Sequence, residues 1–126
     1  MTGAVAVVLL AGCSRGQSVT MPPKNAAPAE VLGTYLQALR AGDCRSAHAL
    51  ATSSFVLGNG ELCGALTAKS YSPLGKPANP REGKVIFSTT LTTEGGDQSM
   101  SNGDHTWFYS LDRQADGAWK IERLSP

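Results

Sequence analysis

The sequence predicts an α+β domain with two to three N-terminal helices packed on an antiparallel sheet. Three observations carry this expectation. Apolar residues from Val31 to Leu39 recur at helical spacing. From Lys84 to Thr93 the chain turns rich in β-branched residues. Near the end, apolar residues alternate on both sides of a glycine-containing turn. Helices first and strands after place the helices on one sheet face.

The first helix begins at Pro28, because proline suits a helix start and Glu30 suits the first turn. Val31, Leu32, Tyr35, Leu36 and Leu39 fall on one face. Gly42 ends this helix, and Asp43 can cap a second that runs from Cys44 to Ala51. The small residues of the second helix allow close packing on the first. Ser53 to Gly60 reads as a loop, and Glu61 to Leu66 as a short third helix carrying Cys63.

A short strand is expected over Lys69 to Gly75, although Pro73 interrupts it. Pro77 to Gly83 reads as a turn. In the strand from Lys84 to Thr93, Val85, Phe87 and Leu91 share one face. Glu94 to Asp104 is polar and reads as a loop. Trp107, Tyr109 and Leu111 alternate along the next strand, and Trp119 and Ile121 along the last.

Those last two strands have the best-specified pairing. Leu111 and Ile121 must share a face, since a one-residue slip would expose one set. That parity demands an odd-length loop. A three-residue loop, Ala115-Asp116-Gly117, satisfies it, with Gly117 in the left-handed position of a G1 bulge. It pairs Leu111 with Ile121, Asp112 with Lys120 and Arg113 with Trp119. A five-residue loop is the alternative.

The segment from Pro28 through Tyr35-Leu36 to Ala41-Gly42-Asp43 looks like the opening helix and Gly-Asp turn of nuclear transport factor 2-like domains. Trp107-Phe108-Tyr109-Ser110-Leu111 and Gly117-Ala118-Trp119-Lys120-Ile121-Glu122-Arg123-Leu124 resemble their closing hairpin. The likeness covers residues 28 to 126. It implies a curved sheet wrapping the first helix as a cone, with a pocket between them. Within that fold the chain is similar to small secreted actinobacterial lipoproteins. A homodimer through the sheet stays open.

The chain's beginning points to a location. Ala4-Val5-Ala6-Val7-Val8-Leu9-Leu10 is a short apolar run, closed by Leu10-Ala11-Gly12-Cys13. An apolar run before a small-residue cleavage site reads as a secretory signal. With cysteine after the cut, it resembles the lipobox of bacterial lipoproteins. The resemblance implies a diacylglycerol on Cys13, cleavage before it, and a lipid-anchored place on the extracytoplasmic face of the cell membrane. Residues 1 to 12 hold no Lys or Arg, unlike the usual basic start of such signals. The run is too short to span a bilayer, which takes about 20 residues. The chain thus divides into a signal peptide (1–12), a lipidated cysteine with a flexible tether (13–27) and a folded domain (28–126). A coil of the tether's length spans about 20 Å.

Three cysteines are present. If Cys13 takes lipid, Cys44 and Cys63 remain, an even number in an oxidising compartment. A bridge between them closes a loop of about 20 residues, worth roughly 3 kcal/mol in the chain-entropy model. The alternative is two unpaired buried thiols. The pair lacks metal-ligand spacing, and neither His48 nor His105 sits in a ligand cluster. No metal or other cofactor is implied.

The net charge is only +1 and no Lys/Arg run interleaves with aromatics, which argues against nucleic-acid binding. The residues that could line a cone pocket are Tyr35, His48 and Tyr109. His48 could serve as an acid or base there, as in ketosteroid isomerases, or stand as a surface histidine. The tyrosines could donate to a ligand or pack in the core. No catalytic residue is assigned. The leading expectation is a non-enzymatic binding or accessory domain, whose partner is a protein or a small apolar ligand. The alternatives are a small pocket enzyme of the ketosteroid-isomerase type and an interaction protein that uses the open side of the sheet.

Overall fold

Pro28 opens helix α1, Pro28–Ala41, with Glu30 in its first turn and Arg40 in its last. The computed structural model describes residues 18–58, 62–64, 67–72, 74–95 and 102–125. Cys13 and the segment that reads as a signal lie outside them. Gly42 takes a left-handed conformation (φ 74°). Its N–H donates to the Leu39 carbonyl and that of Asp43 to the Ala38 carbonyl, the paired bonds of a Schellman stop. Val31, Leu32, Tyr35, Leu36 and Leu39 are buried as one face, joined by Thr34 and Ala38.

Helix α2, Cys44–Ala49, starts on the Asp43 carboxylate, which accepts from the Ser46 N–H at 3.2 Å and its Oγ at 2.7 Å. Helix α3 is Ser53–Gly58, where the sequence reads as a loop. Leu62 to Gly64, the described part of the helix expected over Glu61 to Leu66, are not helical. Capping accounts for α3. Thr52 supplies Oγ1 to the Phe55 N–H at 3.3 Å, and Phe55 is buried completely. A serine–threonine run that reads as a turn is here a helix start with a core anchor.

Five strands follow: β1 Thr67–Tyr71, β2 Ala78–Arg81, β3 Lys84–Glu94, β4 Gly103–Arg113 and β5 Trp119–Ser125. They form one sheet of order β1-β3-β4-β5, with β2 also paired to β3. All these pairings are antiparallel. β1 begins two residues earlier than the sequence suggests and stops at Tyr71. The stretch read as a turn contains β2, whose Pro80 is tolerated because this short strand has β3 on one side only. β4 starts at Gly103, because the Thr93–Gly103 and Thr92–Asp104 pairs extend the long β3–β4 ladder into the expected loop.

The β4–β5 hairpin has the expected register: Leu111 opposite Ile121, Asp112 opposite Lys120 and Arg113 opposite Trp119. The Gln114 N–H donates to the Ala118 carbonyl, and the Gly117 N–H to the Gln114 carbonyl. That encloses Ala115-Asp116-Gly117 as a three-residue loop, with Gly117 at φ 92°. The edge of β5 is covered at Ile121, which bonds to the Leu50 carbonyl and the Thr52 N–H. The core lies between α1 and the sheet face bearing Val85, Phe87, Leu91, Tyr109, Leu111 and Ile121.

The folded domain begins upstream of Pro28. The Val19 N–H donates to Asp43 Oδ2 at 3.0 Å, Val19 packs on the core, and Ala26 is buried. Val19, Lys24 and Ala26, within the stretch that the sequence reads as a tether, therefore contact the domain.

Candidate functional site

Inner face. Tyr35 and Tyr109 are both fully buried. Their rings meet edge to face, 5.8 Å between centroids, and Phe55 meets Tyr35 the same way at 6.1 Å. These three aromatics occupy the space between α1 and the sheet. His48 is exposed on α2. The structure thus brings Tyr35 and Tyr109 together in the core, while His48 is solvent-exposed. No cavity described below is lined by any of the three. Trp107 lies beside them with its Nε1–H buried and no acceptor among the described residues.

Disulfide end. Cys44 and Cys63 are bridged, with 5.5 Å between their Cα atoms. The bridge fastens Leu62–Gly64 to the start of α2. A cavity of about 450 Å³ opens beside it, bounded by Arg40, Gly42, Cys44, Gly64, Thr67 and Gly95. Asp43 sits at this end. Its carboxyl is held below the usual carboxylate range, first by the Ser46 hydroxyl, then by the Val19 and Ser46 N–H groups. At the other end of α1, the Ala118 N–H and then the charge of Lys24 lower Asp116.

Outer face. The side chains that point away from α1 form cross-strand pairs. Lys84 bonds Asp112 at 2.7 Å, Thr90 bonds Thr106 at 2.9 Å, and Thr92 bonds Asp104 at 2.7 Å. Between these polar pairs stand two apolar side chains, each opposite a serine. Ile86 stands opposite Ser110, and Phe108 is 41% exposed opposite Ser88. A groove of about 490 Å³ runs here, lined by Ala78, Lys84, Ile86, Phe108, Ser110, Arg123 and Ser125. Lys84 is neutralised by Asp112. Arg123 is exposed and forms no ion pair among the described residues. The groove therefore offers an apolar floor, two hydroxyls and one guanidinium. Such a set accepts an apolar group that carries a carboxylate or another acceptor.

Sequence reasoning did not single out Phe108 or Arg123. A signal was present: Phe108 has the opposite parity to Trp107, Tyr109 and Leu111, so it is the aromatic residue on the polar face of β4. Arg123 gave none, because an irregularity between Ser110 and Leu111 shifts the register beyond Ile121.

Among the described residues no cluster of His, Cys, Asp and Glu could hold a metal ion. No described helix is long and apolar enough to cross a membrane. Neither a protein-family model nor a curated protein matches the chain.

Proposed function

We propose that this chain is a lipid-anchored, extracytoplasmic binding or accessory domain of nuclear transport factor 2-like fold, held to the membrane through Cys13. Its partner, a protein segment or a small apolar ligand, seats in the groove on the outer face of the sheet. The observation that carries this reading is the contrast between the two faces. Inside, the rings of Tyr35, Tyr109 and Phe55 pack edge to face, and all three are fully buried. Outside, Phe108 and Arg123 flank an open groove. The Cys44–Cys63 bridge supports an oxidising compartment, and the Leu10-Ala11-Gly12-Cys13 motif supports the anchor. A ketosteroid-isomerase-like reaction would need an ionisable group facing an open inner cavity, whereas the rings of Tyr35 and Tyr109 pack on each other without solvent exposure.

A photo-crosslinking amino acid at Phe108, introduced in living cells, tests the groove. The proposal expects a discrete adduct that weakens when Arg123 is replaced by Glu. Adducts equally abundant from the exposed Leu57 position would overturn the assignment of the groove.

A further inference from the structure

The N-terminal strap runs along α1 from one end of the domain to the other. Val19 is bonded to Asp43, just beyond the end of α1. Lys24 reaches Asp116 at 3.6 Å, at the tip of the β4–β5 hairpin. The Ala26 N–H then turns back onto the Pro23 carbonyl, and α1 begins. The chain therefore enters the domain at the α1–α2 corner. This corner is at the Glu94 end of β3, since the cavity beside the disulfide joins Arg40 and Gly42 to Thr67 and Gly95. The groove with Lys84 and Ile86 is at the opposite end of that eleven-residue strand.

Six residue steps separate Cys13 from Val19. Even fully extended they reach only about 21 Å. The corner carries two exposed cations, Arg40 and Arg45. Of the described carboxylates near it, Glu94 is paired with Lys69 at 3.1 Å, while Asp43, bonded by Ser46 and Val19 and acted on by the charge of Arg45, and Asp104, bonded by Thr92, keep their charge. We infer that the α1–α2 corner, through Arg40 and Arg45, rests on the phosphate headgroups of the membrane that holds Cys13, with the groove at the far end. This inference rests on the lipid-anchor reading. Guanidinium groups suit phosphate oxygens and are drawn to anionic leaflets. The strap converts a lipid tail into a fixed orientation.

The test uses the full, lipidated chain in vesicles of phosphatidylglycerol and phosphatidylethanolamine. Arginine modification by phenylglyoxal is followed by peptide mass. Arg81 and Arg123, also exposed, serve as references. Rates are compared with those of a chain carrying a twenty-residue Gly-Ser insertion between Gln17 and Ser18. Arg40 and Arg45 are expected to react several-fold more slowly in the natural chain than in the insertion variant, with Arg81 and Arg123 unchanged. Equal rates in the two vesicle-bound chains would overturn the orientation and leave the anchor standing. A chain without lipid on Cys13 would overturn the anchor, and the orientation with it.

Discussion

Tyr35 of α1 and Tyr109 of β4 meet edge to face at 5.8 Å, both without solvent exposure. This contact joins the helical layer to the sheet at the centre of the core. Truncating Tyr35 to Ala removes a buried aromatic and leaves a cavity, which costs about 3–5 kcal/mol. Urea unfolding of the variant is expected to show a midpoint lowered to match. A loss below about 1 kcal/mol would mean that the ring is not a core element.

The Cys44–Cys63 bridge closes a separation of 19 residues. Its removal is expected to cost roughly 3 kcal/mol, mostly through the unfolded chain. Thermal unfolding with and without a reductant measures this. An unchanged melting temperature would mean that the bridge does not constrain the unfolded state.

Much of the fold is legible in the sequence because its signals are local. Helix α1 has Pro28, an apolar face and Gly42, and its buried face is the one periodicity marks. The β4–β5 hairpin is fixed by side-chain parity together with one glycine, Gly117. The disulfide is legible from cysteine count. What escaped depends on distant contacts. Helix α3 forms because Phe55 finds Tyr35, far away in sequence, and because Thr52 caps it. Strand β2 is too short to show a period and is defined by its partner β3. The strap reads as a tether by composition, yet one bond to Asp43 and the burial of Ala26 hold it down. The groove is assembled from β2, β3, β4 and β5, so no single stretch of sequence announces it.

Asp43 joins two structures, as cap of α2 and as acceptor for Val19. Its pKa is lowered in the folded chain, chiefly by the Ser46 hydroxyl. A depressed carboxyl stabilises the fold above its unfolded pKa, and that contribution fades as pH falls through the folded value. Asp43→Ala is therefore expected to lower stability at pH 7. The gap from the natural chain should narrow in acid, below the ordinary aspartate range. Denaturant unfolding of both proteins at pH 7 and pH 2.5 checks this. A gap that widens in acid would contradict it.

Phe108 and Arg123 face solvent and make few contacts that hold the fold. Replacing Phe108 with Ser, or Arg123 with Gln, is expected to change stability by no more than about 0.5 kcal/mol. Both variants should weaken occupation of the groove in the crosslinking experiment. A large stability loss for either would mark the residue as structural and remove it from the binding surface.

The central claim is that Cys13 carries lipid, and the intact mass of the mature protein from its native host tests it most directly. The account predicts a chain that begins at Cys13 and bears a diacylglycerol on its sulfur. It also predicts that the chain is two hydrogen atoms lighter than its dithiol form, as a Cys44–Cys63 bridge requires. A mature chain with an unmodified Cys13, or one that still carries Met1 to Gly12, would contradict the anchor and the proposal built on it.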